Sequence, residues 1–144
     1  MPAPTAAELE QTAVDALTDA GLKGDAMDRL AKALAATTAE ALASLVSESQ
    51  VLPGIPAAVD PTSGAGSTAG PGFILPPLTL APQLPDLAKE KLEDNGIVGT
   101  GKDPLAEVIA AALVAAIGLF AHQVQVAPGI AVAAFATAAP GSLL

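Results

Sequence analysis

The residues that could carry chemistry are few and scattered. His122 is the only histidine, and the chain contains no cysteine. A metal site needs several His, Cys or carboxylate ligands converging, and nucleophilic catalysis needs a nucleophile beside a base. Neither pattern occurs in the sequence. His122 reads as a packing residue or a polar tip. Asp86, Glu90, Glu93 and Asp94 share a short predicted helix with Lys89 and Lys91, so they read as a solvated charged face. Asp19, Asp25 and Asp28 read as helix-end groups. The run GAGSTAGPG at 64–72 has the glycines of a phosphate loop but no lysine. The expectation is a non-enzymatic protein with no catalytic, cofactor-binding or metal-ligating residue.

Composition narrows the partners. Fifteen acidic against six basic residues give a net charge of −9. Phosphate backbones need clustered Lys or Arg, so nucleic acid is not an expected partner. The absence of cysteine leaves the redox compartment open. The N-terminal MPAPTAAELEQ is acidic and lacks an apolar stretch, so it is not read as a signal peptide. With no Trp or Tyr and only three Phe, the core must be built from Ala, Leu, Val and Ile. A chain of 144 residues can bury one ordinary core.

The organising stretch is the predicted helix DPLAEVIAAALVAAIGLFAHQVQ, from Asp103 to about Gln125. It has a counterpart 75 residues upstream, with no gap needed. Leu17/Leu92, Asp19/Asp94, Gly21/Gly96, Gly24/Gly99 and Asp28/Asp103 are identical. So is the block Gln50-Val51-x-Pro53-Gly54-Ile55, which lies on Gln125-Val126-x-Pro128-Gly129-Ile130. Aligned glycines, prolines and helix-end aspartates are the mark of an internal repeat. The predicted fold is α+β, mainly α, with two tandem helix–helix–extended repeats. Residues 1–72 form the first, 73–84 an apolar proline-rich connector, and 85–144 the second. Residues 12–67 and 87–142 are expected to adopt the same fold.

In chain order, Thr5 and Glu8 have the spacing of a capping box. That helix should stop near Ala20, with Gly21 as a left-handed cap. The second helix should start at Asp25 or Asp28 and run to about Ser49. Met27, Leu30, Leu34, Leu42 and Leu45 form its apolar face, with Ala33, Thr37, Glu40, Ser44 and Glu48 opposite. Residues 50–84 should supply short extended segments, including a loose hairpin around Asp60–Gly66. Their prolines predict edge strands or arms. The next helix is expected from Pro85 to Asp94, and the main helix from Asp103 as N-cap with Pro104 at N1. The tail from Gln125 should be extended.

The two long helices differ on one side. Ala33, Thr37, Glu40, Ser44 and Glu48 become Val108, Ala112, Ala115, Leu119 and Gln123. The inner set Leu105, Ile109, Leu113, Ile117, Phe120 and Val124 stays apolar. No charged residue follows Glu107. A helix apolar nearly all round is either buried or in a membrane. The apolar run Val108–Ala121 is shorter than the ~20 residues a span needs. Val108, Ala112, Ala115 and Leu119 are therefore the predicted assembly interface. A membrane-associated or membrane-active protein using the uncharged tail is the alternative.

A helical region followed by Gly/Pro/Thr-rich extended chain, VDPTSGAGSTAGPG near Gln50–Gly72 and ATAAPGS near Gln125–Ser142, resembles small uncharacterised structural proteins of tailed phages and related contractile particles. The resemblance implies a virion or tail-assembly subunit, assembled in the cytoplasm, whose partners are its own copies and other structural proteins. It implies no site residues.

Overall fold

The computed structural model describes residues 3–52, 55–133 and 136–137. Among them lie four helices and six short strands, so the fold is α+β and mainly α. Residues 53–54, 134–135 and 138–144 lie outside the described residues, and with them part of the expected second repeat. The chain divides into two compact units, each drawn from two separate stretches of sequence. One holds the helical segments up to Glu48 and Pro77–Ile117. The other holds Ser49–Pro76 and the chain from Gly118.

In the helical unit, α1 (Ala6–Asp19) begins at a complete capping box. The Thr5 backbone N–H donates to a Glu8 carboxylate oxygen at 2.7 Å, and Glu8 N–H donates to Thr5 Oγ1 at 3.4 Å. These bonds satisfy amides that a helix start otherwise leaves unpaired, and the Thr5 N–H and hydroxyl, both donating to the Glu8 carboxylate, hold it below its usual range. Helix α2 (Asp25–Glu48) follows. The next helix, α3 (Leu80–Asp94), starts earlier than Pro85, which lies inside it. Pro85 cannot donate to the Ala81 carbonyl, which disfavours an interior position. Burial of Leu80 and Leu84, 4% and 0% exposed, outweighs that loss, at ~1.5–3 kcal/mol per leucine. Helix α4 (Lys102–Gln123) takes in Asp103 as a first-turn residue rather than an N-cap.

The α1–α2 and α3–α4 junctions close on the same backbone hydrogen bonds, 75 residues apart. Leu22 N–H donates to Leu17 O at 3.0 Å, and Ile97 N–H to Leu92 O at 2.8 Å. Gly21 N–H donates to Thr18 O, and Gly96 N–H to Glu93 O, both at 2.9 Å. Met27 N–H donates to Gly24 O, and Lys102 N–H to Gly99 O. Gly21 and Gly96 have φ of 87° and 75°, the left-handed conformation that ends a helix and that glycine adopts without strain.

Helix α2 is buried over a wider arc than its sequence predicts. Ala31, Ala33, Ala35, Thr37, Ala41 and Leu45 are all buried, an arc of about 200° at ~100° per residue. Ala33 and Thr37 are 0% exposed, so they are not part of an outer polar face. Ala33 packs with Ala88, Leu92, Ala106 and Ile109. Ala41 and Leu45 pack with Leu80, Leu84, Ala110 and Ile117. The alanines let α3 approach closely, and small residues beside a neighbouring helix are invisible to a pattern based on large apolar groups. The Thr37 hydroxyl is satisfied inside its own helix, donating to Ala33 O at 2.7 Å.

In the other unit, β1 (Gln50–Val51) pairs antiparallel with β4 (Ile74–Leu75). Gly72, just before β4, exchanges hydrogen bonds with Val126. Residues β2 (Ala57–Val59) and β3 (Gly66–Thr68) form the hairpin. It turns on Asp60, whose carboxylate accepts from Thr62 and Ser63 N–H at 2.7 and 2.9 Å. A Cβ on Gly66 would lie 1.9 Å from Ala58 O, so the hairpin requires glycine there. Strands β5 (Ala131–Ala133) and β6 (Ala136–Thr137) complete the order β2-β3-β5-β6. Strand β3 is thus interior, not an edge: it carries no proline, and both its sides pair. Ile74, Val124, Val126 and Ile130 form this unit's apolar cluster.

Candidate assembly face

Helix α4 turns one stripe to the core and leaves another open. Ala106, Ile109, Ala110 and Ile117 are buried, with Leu105 and Leu113 half-buried beside them. At ~100° per residue these positions share one side. Val108, Ala112, Ala115 and Leu119, the four predicted interface residues, all lie outside that stripe and are exposed. Val108 is 66% and Leu119 63% exposed. Phe120, expected on the core side, is 40% exposed. Its direction falls within the stripe, but it lies three residues beyond Ile117, the last buried residue of α4.

The charged side of α3 does more than face solvent. Lys91 Nζ lies 2.9 Å from Glu40 on α2, and Lys89 Nζ lies 3.0 Å from Asp103 on α4. Lys102 pairs with Glu93. The Glu40 carboxylate beside Lys91 raises the ammonium above its ordinary value, as Asp103 does for Lys89. The Lys102 ammonium lowers Glu93. Sequence reading missed these contacts because each joins groups on different helices. Only the 75-residue alignment carried a trace, since it sets Glu40 opposite Ala115 and Lys91 opposite Ala16.

His122 is exposed on the last turn of α4. Among the described residues no cluster of three or more His, Cys, Asp or Glu could hold a metal ion. Helices α2 and α4 are both long and apolar enough to cross a membrane by length and composition. No family model, curated protein or solved structure matches the chain.

Proposed function

We propose that the protein is a non-enzymatic structural subunit of a symmetric assembly, joined through the outer face of α4. The observation that carries this reading is the exposure of Val108 and Leu119 on a helix whose opposite side is already buried. Contiguous apolar patches of several hundred Å2 are uncommon on soluble monomers and mark interaction sites. The resemblance of the Gly/Pro/Thr-rich segments to phage structural proteins supports a virion or contractile tail-like particle, assembled in the cytoplasm, as the setting. The partners are then copies of the chain and other particle proteins, with no nucleic acid and no cofactor.

An internal duplication underlies the subunit in this reading. The matched junction hydrogen bonds support it. So does the Thr18–Met27 contact at 3.5 Å, which occupies the positions equivalent to the Glu93–Lys102 pair. Extended segments of the two copies also meet one piece of chain, with Val51 paired to Ile74 and Val126 to Gly72.

Size-exclusion chromatography with light scattering tests the assembly. The wild type should form a defined oligomer without detergent, and Ala115→Glu and Leu119→Ser should each weaken it. An oligomer untouched by both changes would put the interface elsewhere. A second reading, membrane association, is favoured by the length of α4: 22 residues at ~1.5 Å each are enough to cross a bilayer core of ~30 Å. Flotation of the protein with liposomes, with no oligomer in buffer, would support that reading instead.

A further inference from the structure

We infer that the occupant of the α4 face is α1 of a second copy, docked as α3 docks on α2. This rests on the assembly reading above and adds the partner element and its alignment. The argument starts from α2. Its Ala33, Thr37 and Ala41 are buried because the second hairpin covers them, with Leu84, Ala88 and Leu92 of α3 among the covering residues. Seventy-five residues on, the same arc of α4 carries Val108, Ala112 and Ala116, and all three are exposed.

The complementary edge is α1. Its equivalents of Leu84, Ala88 and Leu92 are Leu9, Ala13 and Leu17. In α3 these three positions are 0% exposed. In α1 they are only half-buried, and the helix contains no buried residue. Leucine, alanine and leucine therefore recur on a helix covered on one side only. The chain has an open acceptor arc on α4 and a half-covered donor helix in α1, and the contact that would close them is already built once between α3 and α2.

The charges follow the same logic. The internal contact carries the Lys91–Glu40 pair at 2.9 Å. At the equivalent positions both members are alanine, Ala16 and Ala115. Neither charge is left without its partner, so α1 can lie on α4 with no unpaired ion at that point. Of the four α1 carboxylates, Glu8, Asp15 and Asp19 are exposed and sit outside the Leu9–Ala13–Leu17 stripe, while the half-buried Glu10 lies at its edge beside Leu17, at the position equivalent to Pro85. The resulting interface is heterologous, different surfaces meeting on the two copies, and it propagates head to tail into a ring or a filament.

The absence of native cysteine allows a direct test on the full chain. Ala16→Cys and Ala115→Cys variants are treated with a short bis-maleimide, separately and as an equimolar mixture. Head-to-tail docking gives a crosslinked dimer in the mixture and none from either variant alone. Ala112→Glu, which places a charge where α2 has its buried Thr37, should weaken self-association at least tenfold by light scattering. A dimer from Ala115→Cys alone would mean α4 packs on α4, which overturns the α1 docking and leaves the assembly reading standing. No crosslink in the mixture, with association still lost on Ala112→Glu, likewise overturns the α1 docking alone. Association unchanged by Ala112→Glu overturns both.

Discussion

Lys91 Nζ stands 2.9 Å from a Glu40 carboxylate oxygen, tying α3 to α2 across two segments far apart in sequence. The Glu40 side chain is half exposed, so solvent screens the pair. Exposed pairs of this kind contribute ~0.2–1 kcal/mol. Glu40→Ala should lower unfolding stability within that range, and Lys91→Ala added to it should cost little more. A double-mutant cycle by chemical denaturation measures the coupling. A coupling near zero would show that the alanine contacts beneath the pair, not its charges, fix how α3 lies on α2.

Thr68 holds β3 to the start of β5. Its Oγ1 accepts from Ile130 N–H at 2.9 Å and from Gly129 N–H at 3.1 Å. Gly129 N–H also donates to the Thr68 carbonyl at 2.8 Å, so it keeps a partner without the hydroxyl. Ile130 is buried and would be left with an unpaired amide. Thr68→Val preserves shape and should cost ~1–3 kcal/mol. Hydrogen exchange at the Ile130 amide should rise selectively, and unchanged protection there would sink this assignment.

The start of α1, the glycine stops after α1 and α3 and the hairpin turn were readable in the sequence because each rests on local chemistry: the Thr5–Glu8 capping box, Gly21 and Gly96, and Asp60. The burial of α2 was not. Ala33 and Thr37 look like an outer face until α3 is placed against them, and nothing within α2 specifies that neighbour. The start of α3 failed for a related reason. Pro85 reads as a first-turn residue on local grounds, and only the burial of Leu80 and Leu84 shows why the helix extends back past it. The open side of α4 was read from the contrast with α2, yet that contrast has a different physical basis. The two helices differ less in polarity at 33/108 and 37/112 than in whether a neighbour covers them.

Acid should loosen the β2–β3 hairpin. The backbone N–H groups of Ser63 and Thr62 hold the Asp60 carboxyl below its ordinary value of 3.8. A carboxylate whose native pKa is lower than its unfolded pKa stabilises the fold above the unfolded value. That contribution is present above about pH 4 and is lost as pH falls through the lower native value. Glu8 behaves in the same sense at the start of α1. Asp60→Asn should flatten the fall in stability between about pH 4 and pH 2. Denaturation curves across that range check it, and an unaltered slope in the variant would exclude Asp60 as a contributor.

The equivalent leucines Leu9 and Leu84 separate folding from association. Leu84 is 0% exposed, in the cluster with Ala41, Leu45 and Ile117. Leu84→Ala should cost ~2–5 kcal/mol, the usual range for a leucine truncated in a core. Leu9 is half-buried on a helix with no buried residue, so Leu9→Ala should cost on the order of 1 kcal/mol in the monomer. In the assembled state the order changes. Leu84 is already covered and gains nothing from a second copy, whereas Leu9 loses the surface that docking would bury. Leu9→Ala should therefore weaken self-association several-fold while leaving the dilute monomer folded, as measured by light scattering and circular dichroism on the same samples. A Leu9→Ala protein that unfolds as readily as Leu84→Ala would show that α1 is already part of the monomer core.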